Sequence, residues 1–126
     1  MKILNIVETA YRGTIEEQDD TVLWFNQALG SAGADISVVL RGNAVNYAVR
    51  RQDASGLAFG DVRQTQPPRL AADVSRLVSS GIAVHVVEED LADRAIEAAE
   101  LVPGLKLLAR REIAPMLGEF DHIWRW

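Results

Sequence analysis

The chain has 126 residues, 48% of them hydrophobic and 25% charged, enough apolar material for one ordinary globular domain. Its net charge of −5 argues against non-specific binding to nucleic acid, and no apolar run reaches the length of about 18 residues that a membrane span requires. It has no cysteine, which removes disulfides, thiolate metal sites and thiol nucleophiles together.

Residues 2–7, KILNIV, are apolar and β-branched and predict a first strand; without a following small-residue cleavage pattern they do not read as a signal peptide, so a cytoplasmic protein is expected. Thr14 with Glu17 matches a capping box, so a helix is allowed from Ile15. The firmer helix is residues 20–32, with Val22, Phe25, Leu29 and Ala32 as its buried face and Gly33 as its end. Residues 34–40 predict a second strand. Gly42 and Asn43 form a turn, and residues 44–50 a short helix.

Residues 51–66 have no clear period, and their apolar members Leu57, Ala58 and Phe59 are bunched. A loop of that length points to cover for a site or for a subunit interface. Pro67 and Pro68 open a helix whose stripe is Leu70, Val74, Leu77 and Val78, closed by Gly81. Residues 82–87 are the third strand. Asp90 with Asp93 is expected to cap a helix over residues 91–101. Pro103 and Gly104 make a turn, residues 105–108 a fourth strand, residues 109–118 a helix interrupted by Pro115, and residues 121–126 a final strand. Alternating strands and helices predict one domain over residues 1–126: a three-layer α/β/α sandwich around a mostly parallel sheet of five strands.

In such a sheet, ligands sit at the carboxyl ends of the strands. Glu88, Glu89 and Asp90 lie at the end of the third strand. Carboxylates there favour a helix N-terminus by capping amides and meeting its positive dipole end. The functional alternative is a general base or cation site, with a carboxyl pKa raised by crowding. Thr9, Tyr11, Arg12 and Gly13 follow the first strand. Their backbone amides suit an anion, although no phosphate-loop motif is present, and an ordinary loop is the simpler reading. Arg41, beside Gly42 and Asn43, is the best anion-pairing group at the same edge; the alternative is a solvated turn arginine.

His85, in mid-strand, shares a face with Ala83 and Val87 and reads as a buried or interface histidine rather than a catalytic one. It and His122 are the only histidines, so a zinc site would rest on two imidazoles plus carboxylates, and no metal or cofactor is expected. Trp124 and Trp126 fall on one face of the last strand and Trp24 beside the first helical stripe, a pattern that favours an oligomer contact.

Three stretches carry a family resemblance: MKILNIVET; VVLRGNAV; and SSGIAVHVVEEDLADRAI continuing through LVPGLKLLARREIAPMLGEFDHIWRW. Across nearly its whole length the chain resembles the DsrE/DsrF-like (YchN-like, TusD-like) sulfur-relay proteins. The resemblance implies an α/β sandwich assembled as a trimer or hexamer, homomeric or mixed. It also implies sulfur carried as a persulfide on a cysteine at the end of the central strand. Laying Arg94–Ala95–Ile96 on the family's Arg-Gly-hydrophobic pattern puts that cysteine position at Val87. Valine holds no persulfide. The chain therefore reads as a non-catalytic binding or structural member, with a sulfur-relay protein as its candidate partner. A ligand site is expected around Tyr11, Arg12, Arg41, Asn43 and Val87. The alternatives are a small-molecule enzyme using Glu88, Glu89 and Asp90 with Arg41 or Arg12, and a flavodoxin-like ligand binder, which the missing glycine-rich phosphate loop disfavours.

Overall fold

The computed structural model describes residues 1–11, 21–52 and 56–126. The suggested capping box at Thr14 and Glu17, and Arg12 with Gly13, lie outside the described residues. The main sheet has five strands: β1 (Lys2–Val7), β2 (Asp35–Leu40), β5 (Ala83–Val87), β6 (Lys106–Leu108) and β7 (His122–Arg125). Their order is β6-β5-β2-β1-β7, and every pairing is parallel. Between β2 and β5 the chain makes a 3-10 turn over Gly42–Ala48. It then forms a two-stranded antiparallel hairpin, β3 (Ala58–Phe59) with β4 (Val62–Arg63), where only an irregular loop was expected. The helices are α1 (Thr21–Ser31), α2 (Leu70–Ser79), α3 (Glu88–Asp93) and α4 (Ile113–Leu117). None is long and apolar enough to cross a membrane.

The connections explain the unequal faces of this sheet. From β1 through β2 and β5 to β6 the chain steps steadily in one direction. Right-handed crossovers then place α1, α2 and α3 on the same face. Their apolar stripes meet Ile3, Val7, Ile36, Val38, Leu40, Val84 and Val86 in the larger core. The return from β6 to β7 passes four strand spacings the other way, roughly 19 Å, and so crosses the opposite face. Only residues 109–121 make that trip, and their one α-helix is the five-residue α4. It seals a smaller core of Leu4, Ile6, Val39, Val87, Leu108 and Ile113. The third layer of the sandwich is therefore a narrow strap.

Two expected helices change. In α1 the buried residues are Leu23 and Asn26, while Val22, Phe25 and Leu29 are half-buried and Ala32 is exposed. The stripe turns because Asn26 belongs to a buried polar junction. Asn5 Nδ2 donates to Asn26 Oδ1 at 2.6 Å, Asn26 Nδ2 to the Val22 carbonyl at 2.8 Å, and Trp126 Nε1 to Asn5 Oδ1 at 2.9 Å. Phe25 packs against the rings of both Trp124 and Trp126 at centroid distances of 5.9 and 5.8 Å, which places those tryptophans together on one face. The helix expected over residues 91–101 instead starts directly on β5 at Glu88 and stops at Asp93. A separate 3-10 turn follows at Ala98–Glu100.

Candidate functional site

The carboxyl ends of the strands gather the polar groups picked out in the sequence, but most of them bind one another. At the end of β5, Val87 points into the smaller core and is fully buried. Glu88, Glu89 and Asp90 form the first turn of α3, where carboxylates complement the free amides and the dipole. Asp90 does not cap a later helix. It is buried, and its two oxygens accept from different loops: Oδ2 from the Gly42 N–H and Oδ1 from Arg110 Nη2, both at 2.7 Å. Arg110 also approaches Asp93 at 3.6 Å, and its backbone N–H donates to Glu89 Oε2 at 2.8 Å. Arg94 donates to the Asp90 carbonyl and, through Nε and Nη2, to Asn43 Oδ1 at 3.2 and 2.7 Å.

Gly42 makes this clamp feasible. It sits at φ +55°, a conformation that strains a side chain, and that turn aims its N–H at Asp90. The ends of β2, β5 and β6 are thereby tied through one carboxylate.

The electrostatics run opposite to the crowding expectation. Burial disfavours the charged form of Asp90, but the Gly42 N–H, the Arg110 hydrogen bond and the charges of Arg110 and Arg94 outweigh it and hold the carboxyl below its usual range. Glu89 is lowered as well, chiefly by the Arg110 N–H. Neither has the raised pKa that suits a general base near neutrality. Glu88 is exposed.

Across the same edge, Glu8 lies between two arginines, 3.6 Å from Arg41 Nε and 2.8 Å from Arg125 Nη2. The Trp126 carbonyl accepts from the N–H groups of Glu8 and Thr9, which fixes the start of the loop after β1. Tyr11 is half-buried against the larger core. The tip thus brings Arg41 together with Glu8, and Asn43 with Arg94. Sequence reading missed Glu8, Arg110 and Arg94 as partners. They come from distant segments, and no local pattern links them.

His85 lies on the α4 face of β5, half-buried, beside Lys106 of β6. Burial, and then the Lys106 ammonium, push its pKa down. His122 pairs with Ile3, a residue of the larger core, and so belongs to the opposite face. The two histidines are separated by the sheet and have no common ion to share. Among the described residues there is no group of three or more His, Asp or Glu side chains able to hold a metal.

An all-parallel five-stranded α/β sheet with polar loops gathered at its strand ends defines the class. The model of the DsrE/DsrF-like family matches residues 1–124, and the chain belongs to that family. Among solved structures it is similar to the ychN protein from E. coli, with a TM-score of 0.75 at 18% identity, covering 99% of this chain and 98% of that one. It is also similar to BT1422, a conserved protein of unknown function from Bacteroides thetaiotaomicron (TM-score 0.67, 15% identity, 99% and 94% covered). A third is MTH1491, a protein of unknown function from Methanobacterium thermoautotrophicum (TM-score 0.60, 14% identity, 99% and 97% covered). At these identities the likeness is one of fold. No curated protein matches the chain.

Proposed function

We propose that this chain is a DsrE/DsrF-like protein that does not carry sulfur itself and acts as a binding or structural subunit, in the cytoplasm, as a single domain within a trimer or hexamer. The observation that carries this reading is Val87. It stands where the family resemblance places the persulfide cysteine, and it is fully buried in a chain with no cysteine at all. The carboxylates around it support the same reading. Asp90 and Glu89 are held ionised and engaged by Arg110 and Gly42, an arrangement suited to fixing loops and not to exchanging protons. Trp24, Phe59, Val62, Leu107 and Trp126 expose large apolar surfaces, which favours association with further copies or with a sulfur-relay partner. The ligand-facing groups of the strand tips are then Arg41 and Asn43, with Tyr11 beyond the end of β1.

Size-exclusion chromatography with light scattering tests the assembly: a trimer or hexamer is expected, and a stable monomer at micromolar concentration would refute it. The joint Glu88→Gln, Glu89→Gln variant tests the role. A binding subunit keeps its oligomer and its partner, whereas loss of a turnover activity in a folded variant would make it an enzyme.

A further inference from the structure

The face crossed by α4 holds an open cavity of about 410 Å³ beneath the narrow strap, away from the Asp90 clamp. We propose that this cavity is a second ligand site, taking an amphipathic organic anion whose acid group lies between Lys106 and His85 and whose apolar body rests on Leu108, Met116 and Phe120.

The strand register builds the site. His85 and Lys106 are direct cross-strand neighbours, so both side chains leave the sheet on the α4 face. Among the described residues the His85 ring has no hydrogen-bond partner and the Lys106 ammonium no ion pair. A half-buried imidazole and the ammonium of an exposed lysine, lining one cavity, are together a site for negative charge. Leu108, two residues beyond Lys106 on the same face, and Met116 and Phe120 from the α4 strap supply an apolar wall.

The other charged groups facing this cavity are Lys2 of β1, Asp35 of β2 and Glu119, just after α4. They lie at its far end. Lys2 and Asp35 are cross-strand partners, so their charges offset each other. Because Ser37 pairs with Ala83, Asp35 is level with residue 81, four residues before His85, or roughly 13 Å along the strands. Glu119 precedes Asp121, whose N–H donates to the Lys2 carbonyl, and so it stands at that same rim. The cavity is therefore cationic at the β5–β6 end, apolar along its strap and mixed in charge at its mouth. A linear or aromatic acid fits this gradient. A polyanion does not, because its second charge would meet Asp35 and Glu119.

The probe is 1-anilinonaphthalene-8-sulfonate, whose sulfonate stays ionised between pH 5 and 8, so that only the protein titrates. One equivalent is expected to bind per chain with enhanced fluorescence. Lys106→Glu is expected to weaken it by roughly tenfold or more with its thermal midpoint intact, while Arg76→Gln, on the opposite layer, leaves it unchanged. Protonated His85 donates to the acid group, so binding tightens as pH falls from 7.5 to 5.5, and the NMR titration of the His85 ring shifts to higher pH when the probe is bound. Equal affinity in Lys106→Glu would overturn the proposal, as would equally tight binding of the uncharged analogue N-phenyl-1-naphthylamine. An absence of binding, with an oligomer that Lys106→Glu dissociates, would assign this face to a second copy of the chain and overturn it too.

Discussion

Ala95 ends a helix in a conformation that its own side chain disfavours. Three helices end by the same device: the second residue past the last helical one turns left-handed, and the next N–H reaches back to a carbonyl five residues earlier. Gly33 (φ +90°) does this for α1 and Gly81 (φ +84°) for α2, with Ala34 N–H to Leu29 O and Ile82 N–H to Leu77 O at 3.1 and 3.2 Å. In α3 the left-handed residue is Ala95 at φ +54°, with Ile96 N–H to Leu91 O at 3.0 Å. This is also the place where the family's Arg-Gly-hydrophobic pattern has glycine. Alanine there carries left-handed strain of roughly 1–2 kcal/mol, partly offset by the greater freedom glycine would have when unfolded. Ala95→Gly is expected to stabilise the protein by about 0.5–1 kcal/mol, read as a higher midpoint in urea.

Asp90 is the residue-scale counterpart in charge. Asp90→Asn leaves the Arg110 guanidinium without its best acceptor and weakens the bond from Gly42. A loss of about 2 kcal/mol is expected by chemical denaturation at pH 7, since a charged hydrogen-bonded partner is removed from a largely buried site. Arg110→Gln is expected to cost less, because that side chain is half exposed.

At the scale of elements, what was legible in the sequence follows from how local each signal is. The five strands of the main sheet and α2 were readable because their apolar periods and Gly81 are contained within a few neighbouring residues; the β3–β4 hairpin was not, because each of its strands has only two residues. The end of α3 was not, because alanine replaces the usual glycine stop, and neither Glu97 nor Glu100, whose carboxylate accepts the Glu97 N–H at 2.7 Å to begin a new turn, is a strong sequence signal. The buried face of α1 was legible only in part: Val22 and Leu29 do pack against the larger core, but Asn26 is a core residue only because Asn5 and Trp126 reach the same point from β1 and the end of β7. The strand-tip partnerships of Arg110 and Glu8 were hidden for the same reason. The junction at Asn26 is testable. Asn26→Leu removes the acceptor for Asn5 Nδ2 in a region that is fully buried, so a loss of about 1–3 kcal/mol is expected in spite of the added apolar surface. An unchanged or raised midpoint would show that the polar pair contributes nothing to docking α1.

Over the whole molecule, the strap face and the carboxyl edge of the sheet each put a titratable group in a setting that opposes protonation. On the strap face, burial and Lys106 lower the His85 pKa. At the strand tips, Asp90 is lowered because Gly42, Arg110 and Arg94 outweigh burial. In both cases the unfolded chain takes up the proton at a higher pH than the folded one, so stability rises with pH through each window. The His85 contribution is complete above about pH 6.5 and declines as pH falls from there toward the lowered folded value. The Asp90 contribution is complete above about pH 3.9 and is lost only below it. Urea denaturation across pH 2–8 is therefore expected to give a plateau above pH 7, a shallow fall as the pH drops below about 6.5, and a further acid loss below about pH 3.9. His85→Gln should flatten that shallow step and leave the steeper acid loss in place. Asp90→Asn should do the reverse, lowering the plateau and blunting the acid limb, and a shallow step that survived His85→Gln would show that the strap face does not set it.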